Sequence, residues 1–342
     1  MRRFLILTVV ILLGSAAAQL CQGGDFRESE TTVYADGGNV RLAGTLTVPA
    51  EGQPRAALVL ASGSGAQNRD EEVMGHKPFK AIAEYLSAHG YAVLRLDDRG
   101  VGGSTGDSRV STSDIMAGDM ASALAKLDTL VGREVPKGVL GHSEGGSVAI
   151  KTATRCGDCR FIITLAAPAW PGDSIIMAQA RAIATGMTGR WDNEGRQRRL
   201  MDLVKSQMPG AVLQGMIYAE LSKELGEAAK LPQVQTQLQQ TAEAMSSPSY
   251  RSIVQYDPRR DIGLVGVPWL ALNGSKDVQV PPGNLTTIAE LNKQAHTVLM
   301  PEHNHLFQHC QTGLVDEYAS LPEDISEETL KTVLEWLDET IP

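Results

Sequence analysis

The chain lacks an excess of positive charge, and beyond its N-terminal segment it lacks any apolar run long enough to cross a membrane. It carries 31 basic and 40 acidic residues among 342, for a formal net charge of −9 at pH 7. An acidic protein has no electrostatic footprint for nucleic acid or anionic lipid, so we expect neither as a partner, and we expect no stable membrane insertion. The hydrophobic share of 42% supports one large core, with room for an insertion.

The N-terminus has the pattern of a signal peptide, which we assign to residues 1–18. A charged pair at residues 2–3 precedes an apolar stretch over residues 4–13, and small residues end at Ala18, where we expect cleavage. Bulky Leu20 precedes Cys21, where a lipoprotein signal requires a small residue. We therefore expect an exported protein, periplasmic or secreted, and not a lipoprotein.

Cysteine is scarce, and the chain has only Cys21, Cys156, Cys159 and Cys310. Export permits disulfides. The Cys-Gly-Asp-Cys spacing resembles a redox motif, but it follows the end of a predicted helix, whereas a reactive thiolate is stabilised at a helix N-terminus. We therefore predict a structural disulfide between Cys156 and Cys159, with Cys21 to Cys310 as a candidate second bridge.

Short apolar and alternating segments predict eight strands. They cover residues 31–34, 40–48, 56–60, 91–96, 138–142, 161–166, 267–272 and 297–300. Helical segments separate most of them, which implies right-handed crossovers and a mostly parallel sheet with helices on both faces. We assign residues 19–166 and 261–342 to the two parts of this α/β core.

Residues 167–260 interrupt the alternation. They are rich in Ala, Gln, Glu, Leu and Met, they carry no strand signal, and they show helical spacing at Leu213, Ile217 and Leu221. Because this block falls between the sixth and seventh predicted strands, we predict that it forms a helical lid inserted into the core.

Ser143 is the candidate nucleophile. It lies in Gly-His-Ser-Glu-Gly-Gly, after a predicted strand and before a predicted helix. A serine between such glycines sits on a sharp turn that exposes its hydroxyl, because a Cβ at the glycine positions would collide with the neighbouring strand and helix.

Asp277 and His305 are the candidate acid and base. A serine hydroxyl needs a base to remove its proton, and a histidine base needs an acid to fix its tautomer. Each residue follows a predicted strand by a short loop, so both should lie at the carboxyl edge of the sheet. His303 is the alternative base. His142 is predicted by strand alternation to point away from the serine and to pack in the interior.

Hydrolysis also requires donors for the developing oxyanion. One candidate is the main-chain N–H of Glu144, which begins the helix after the nucleophile. The other lies in the glycine-containing loop at residues 62–67, where we assign it to Ser64, with Gly65 as the alternative. The charged residues Arg69, Asp70 and Glu71 follow this loop, and either they pair internally and hold its shape or they form a solvated charge run.

Together these motifs resemble those of the serine α/β-hydrolases, and more narrowly those of bacterial esterases with a Ser-Gly-Ser-Gly loop, a Gly-His-Ser-x-Gly-Gly elbow and an Asn-His-Leu-Phe-Gln end. Here they stand at residues 62–65, 141–146 and 304–308. The resemblance covers about residues 30–340 and departs at Ala66, where proline is frequent, and at Asn68, where aspartate is frequent. It implies an α/β-hydrolase fold and the hydrolysis of small carboxylic esters.

The expected reaction is acyl transfer from small acyl or aromatic esters through the three side chains, with no metal or organic cofactor. The same triad would serve an aminopeptidase, a thioesterase or a lactonase. An aminopeptidase must also neutralise a free α-ammonium group, for which the candidates are Glu220, Glu224 and Glu227. The alternative of another class is a non-catalytic secreted binding protein on a hydrolase scaffold. The sequence does not indicate an oligomeric state.

Overall fold

The computed structural model describes residues 21–23, 25–223 and 225–341. The predicted signal peptide lies outside these residues. None of the helices in the described part of the chain is long and apolar enough to span a membrane.

The molecule is built on one nine-stranded sheet in the order β1-β2-β3-β5-β4-β6-β7-β8-β9. Pairing is antiparallel from β1 to β5 and parallel from β5 through β4 to β9. The strands are β1 Cys21–Gly23, β2 Phe26–Ala35, β3 Val40–Pro49, β4 Ala57–Ala61, β5 Ala92–Leu96, β6 Lys137–His142, β7 Phe161–Leu165, β8 Trp269–Gly274 and β9 Ala295–Met300.

The predicted mostly parallel sheet is confirmed, with two differences at its antiparallel end. The short strand Cys21–Gly23 adds a ninth member at the edge. In addition, β2 begins at Phe26, five residues before the predicted start. Its first half reads Phe-Arg-Glu-Ser-Glu and carries no apolar alternation, but it pairs with β3 along the full ten residues of each strand.

Every residue of the five central strands β4 to β8 is buried, because helices cover both faces of the sheet. Ser113–Leu130 (α2), Glu144–Arg155 (α3) and Gly283–Leu291 (α10) pack on one face. Pro78–Ala88 (α1) and Glu327–Thr340 (α11) pack on the other. The resulting core has two apolar layers separated by the sheet.

The chain between β7 and β8 is helical, as predicted for the insertion. It forms α4 Gly172–Thr188, α5 Glu194–Lys205, α6 Gly210–Ser222, α7 Pro232–Ser246, α8 Pro248–Gln255 and α9 Arg259–Leu264. Side chains from α5, α6, α7 and α8, among them Val204, Leu213 and Ile217, form a separate apolar cluster. The insertion therefore has a small core of its own.

The predicted disulfide between Cys156 and Cys159 is wrong, since both are free thiols. Cys159 turns into the main core at 2% exposure, where its Sγ donates to the carbonyl oxygen of Phe161 at 3.4 Å. Burial, helped by the neighbouring Cys156, raises the pKa of the Cys159 thiol to about 12 and so disfavours the thiolate. Cys310 is also a free thiol, so the second predicted bridge is absent as well.

The close packing of α3 on β4 predicts that Gly145→Ala is strongly destabilising. A Cβ at Gly145 would lie 1.9 Å from the carbonyl oxygen of Ala61, which belongs to the backbone of β4 and cannot move aside as a flexible side chain would. We expect a loss of about 3 kcal/mol in the free energy of unfolding, measured by urea denaturation. Gly118→Ala in α2 is the matched control, because its Cβ would meet nothing within 4 Å. It should stabilise by up to about 1 kcal/mol. Equal midpoints for the two variants would contradict this packing argument.

Candidate active site

Ser143 occupies a strained turn at the carboxyl end of β6. Its backbone has φ 54° and ψ −119°, a conformation that residues with a Cβ rarely adopt. The flanking glycines make the turn sterically possible, because a Cβ at Gly141 would lie 2.0 Å from the carbonyl oxygen of Gly145. The N–H of Ser143 donates to the carbonyl oxygen of Leu165 at 2.8 Å, which ties the turn to β7.

His305 and Asp277 meet across two loops at the same edge of the sheet. His305 Nδ1 lies 2.8 Å from Asp277 Oδ2, and both residues are at most 5% exposed. The other oxygen of Asp277 accepts the main-chain N–H groups of Gln279 at 2.8 Å and Val280 at 2.9 Å. With its carboxylate fixed in this way, Asp277 orients the imidazole so that Nε2 is left for another partner.

The alternative base His303 is directed elsewhere. It is fully buried, and its two ring nitrogens face the carbonyl oxygen of Pro301 and the hydroxyl of Ser326. Because Ser326 is the N-cap of α11, His303 supports the packing of that helix. It does not line the cavity that contains Ser143.

A cavity of about 420 Å³ opens over Ser143 and His305. Ser64 and Glu144 line it as well, whereas Gly65 lines a smaller neighbouring cavity. The main-chain N–H groups of Ser64 and Glu144 find no acceptor among the residues that the structure describes. The remaining walls are mainly apolar and aromatic, and they include Pro168, Trp170, Ile175, Ile176, Tyr250, Ile253, Tyr256, Val280, Leu306, Val315 and Tyr318.

Several of these wall residues belong to the insertion, which therefore covers the site. Trp170, Tyr250 and Tyr256 lie between β7 and β8 and face the cavity. Gln179 on α4 donates to the side-chain oxygen of Gln279 at 3.1 Å, so the insertion is tied to the loop that carries Asp277. The cavity is thus closed on one side by the core and on the other by the helical block.

Sequence reasoning missed His142. Alternation predicted an interior packing role, but this side chain lines the cavity and lies between two loops. Its Nδ1 is 2.9 Å from Glu71 Oε1, and its Nε2 is 3.0 Å from the carbonyl oxygen of His305. Alternation assigns a residue to one face of the sheet, and at the carboxyl edge loops cover both faces. The only sequence signal for a place of His142 at the site was its position next to Ser143 in the Gly-His-Ser-Glu-Gly-Gly motif.

The charged residues that follow residues 62–67 pair with other parts of the fold. Arg69 contacts Asp97 through Nε and Nη2 and contacts Glu30 through Nη1, at 2.7 to 3.1 Å. The hydrogen bonds that the Arg69 guanidinium donates to the Asp97 carboxylate are the main reason that the pKa of Arg69 is raised. Asp70 forms an ion pair with the buried Arg95 of β5. The interpretation in which these charges hold the loop in shape is therefore the correct one.

Two carboxyl groups near the loop at residues 62–67, those of Asp98 and Glu144, have raised pKa values. Burial raises the pKa of Asp98 to about 7, and burial raises that of Glu144 to about 7 as well. The hydroxyl of Ser62 and the N–H of Gln67 donate to Asp98, and the hydroxyl of Ser113 donates to Glu144. These bonds favour the charged forms but do not offset the loss of hydration.

Known proteins are similar to this chain in amino-acid sequence and in fold. A family model described as "Serine aminopeptidase, S33" matches residues 52–209. Esterase EstD of Thermotoga maritima is 29% identical over 157 residues, which are 46% of this chain and 36% of that protein, so the chain matches only about a third of its relative's length.

The solved structure of the Pyrococcus furiosus esterase PF2001 superposes with a TM-score of 0.58 at 17% identity, over 93% of this chain and 92% of that one. The chain has the α/β-hydrolase fold. The alpha/beta hydrolase GrgF from a Penicillium species gives a TM-score of 0.57 at 17% identity, with coverage of 92% and 99%. A thermophilic esterase from Thermogutta terrifontis gives 0.53 at 19%, with coverage of 92% and 100%. At these identities the likeness establishes the fold, which places strand ends and loops where an α/β-hydrolase site is built.

The raised pKa of Asp98 predicts a pH-dependent stability. The carboxyl group of Asp98 holds its proton up to about pH 7 in the folded state but releases it near pH 4 in the unfolded state. The free energy of unfolding therefore falls as pH rises between these two values. Asp98→Asn removes this titration. We expect its unfolding free energy, relative to the wild type, to improve by about 1 to 2 kcal/mol between about pH 5 and about pH 8 in urea denaturation. A difference that is independent of pH would contradict the assignment.

The Arg69 contacts predict that Arg69→Ala lowers both stability and turnover. The substitution leaves Asp97, which is 4% exposed, without its cation, so we expect a loss of about 2 to 3 kcal/mol in thermal or urea unfolding. Arg109→Ala is the control, because its ion pairs are on the exposed surface and it should change neither property measurably. Wild-type turnover and melting temperature in Arg69→Ala would refute the structural role.

Proposed function

We propose that this protein is a serine hydrolase that cleaves carboxylic esters of small acyl or aromatic groups. The single observation that carries the proposal is the 2.8 Å contact between His305 and Asp277 beside a serine held on a strained turn, with Ser143 and His305 facing one cavity. The esterase names of the similar proteins support the same reaction class.

In the proposed first step, His305 removes the proton of Ser143 while the hydroxyl oxygen attacks the ester carbonyl carbon. Asp277 holds the imidazole in the required tautomer and stabilises the imidazolium that forms. The carbonyl oxygen becomes an oxyanion, which the N–H groups of Ser64 and Glu144 bind. When the tetrahedral intermediate collapses, the bond to the alcohol breaks and His305 gives the proton to the leaving oxygen.

The acyl group then remains on Ser143 Oγ. Water, deprotonated by His305, attacks the acyl carbonyl carbon, the oxyanion again forms opposite the two N–H groups, and the acyl–serine bond breaks. The proton returns to Ser143, and the carboxylic acid leaves. Every step uses side chains of this chain, main-chain N–H groups and one water molecule per turnover.

Two of the three acidic residues considered for an aminopeptidase lie away from the cavity. Glu220 pairs with Arg199 and Lys223, and it does not line the cavity. Glu227 pairs with Lys230 and is also distant from the lining. Glu224 lies outside the described residues. Two of the three acids considered for binding an α-ammonium are therefore occupied elsewhere, and we place an aminopeptidase second. We also propose export, which rests on the pattern of residues 1–18.

Ser143→Ala is the direct test. We expect it to abolish the hydrolysis of 4-nitrophenyl acetate and all labelling by a fluorophosphonate probe, while the circular dichroism spectrum stays that of the wild type, because only the nucleophile is lost. Ser122→Ala on the exposed part of α2 is the matched control and should hydrolyse and label normally.

Turnover by Ser143→Ala near the wild-type rate would refute the nucleophile assignment. Failure of the wild type to react with the probe would favour the non-catalytic binding protein. Faster cleavage of an aminoacyl anilide than of the acetate ester would favour the aminopeptidase.

A further inference from the structure

The buried pair of His142 and Glu71 has no part in the reaction steps above, although it lies beside them. His142 is 6% exposed and Glu71 is 2% exposed. The two residues stand 71 positions apart in the chain, one at the end of β6 and one in the segment between β4 and α1. A buried charge is retained at a site only when specific partners compensate the loss of hydration.

The hydrogen bonds fix the protonation of the imidazole. Nε2 faces the carbonyl oxygen of His305 at 3.0 Å, and a carbonyl oxygen can only accept, so Nε2 carries a hydrogen. Nδ1 faces Glu71 Oε1 at 2.9 Å. Burial lowers the pKa of His142, but the charge and hydrogen bond of Glu71, the His305 carbonyl and the charge of Asp277 together raise it above its ordinary value. Both ring nitrogens of His142 face oxygen atoms, and the imidazolium form satisfies this arrangement by donating from each nitrogen.

The carboxylate of Glu71 also contacts the loop that contains Ser64. Its Oε1 also accepts the main-chain N–H of Gly63 at 2.6 Å, directly before the oxyanion candidate Ser64. Glu71 has a positive φ of 51°, a costly conformation for a residue with a Cβ, and its Oε2 is buried without a hydrogen-bond partner. The fold therefore accepts backbone strain and an unpaired oxygen to keep this carboxylate in place.

On the basis of the proposed function, we propose that His142 and Glu71 form a buried ion pair that positions the loop of His305 and the loop of Ser64 around Ser143. His142 acts through the main chain of His305, and Glu71 acts through the main chain of Gly63. Both are positioning residues, since their contacts are to the backbone of the groups that react. The ring centres of His142 and His305 are 4.7 Å apart, which places the cation directly beside the proposed base.

The experiment compares Glu71→Gln, His142→Gln and the double variant, with kcat expressed per active site titrated by a fluorophosphonate. We expect each single variant to lose kcat on the order of 10- to 100-fold while KM stays within about twofold, because geometry and not substrate binding is altered. The double variant should have about the same kcat as the less active of the two single variants, since the two residues act as one unit. Glu72→Gln and His309→Gln, two exposed positions, are the matched controls and should behave as the wild type.

A pH series separates positioning from simple stability. In Glu71→Gln, His142 loses the carboxylate that raises its pKa, so it loses its proton at a lower pH than in the wild type. The groups facing His142 are the carboxylates of Glu71 and Asp277 and the imidazole and carbonyl oxygen of His305, and only Glu71 is altered. The ratio of wild-type to variant kcat should therefore change with pH, and it should be larger where His142 is neutral in the variant and still protonated in the wild type than at lower pH. A purely structural role would lower the melting temperature and leave this ratio constant.

The proposal is overturned if each variant retains kcat per active site within about twofold of the wild type, or if the losses in the two single variants multiply in the double variant. It is also overturned if the ratio of kcat values does not change with pH. These outcomes are distinct from failure of the esterase proposal, in which the wild type itself neither turns over esters nor reacts with the probe.

Discussion

The structure depends on the strained turn at Ser143. A positive φ at a residue with a Cβ is maintained only when the surroundings leave no alternative, and here Gly141 and Gly145 let β6, β4 and α3 approach closely enough to enforce it. Because β6 lies in the middle of a sheet that is buried on both faces, the turn is anchored in the buried centre of the fold. The hydroxyl is presented at the edge where parallel strands end and where their loops converge.

The loops at that edge are held by charge as much as by apolar packing. Arg69, just after the loop at residues 62–67, pairs with Glu30 of β2 and with Asp97 directly after β5. Asp98 and Glu144 lie close to the same loop with raised pKa values. Groups of this kind lower stability wherever they are kept away from water. Glu144 lines the cavity over Ser143 and Asp98 lines the smaller neighbouring cavity, so both costly groups lie close to the candidate site.

The sequence was sufficient for the architecture because local signals agree with the global fold. Alternating strands and helices predicted the parallel sheet, and a change in composition predicted the inserted helices. Ser143, Asp277 and His305 could be chosen as candidates because each follows a strand at the same edge, and the structure places Asp277 against His305 and both Ser143 and His305 at one cavity. The sequence could not predict contacts between distant loops. Glu71 was grouped with Arg69 and Asp70, with no indication that it faces His142. Cys159 was paired with Cys156, although it turns into the core. The spacing of residues along the sequence does not show which distant residues come into contact in the folded protein.

The most direct measurement is a crystal structure of the protein after reaction with a fluorophosphonate, which mimics the tetrahedral intermediate. The account predicts phosphorus bonded to Ser143 Oγ, the phosphoryl oxygen within about 3 Å of the N–H groups of Ser64 and Glu144, and His305 Nε2 within hydrogen-bond distance of the serine oxygen. Phosphorus on another residue, or a phosphoryl oxygen turned away from both N–H groups, would contradict it.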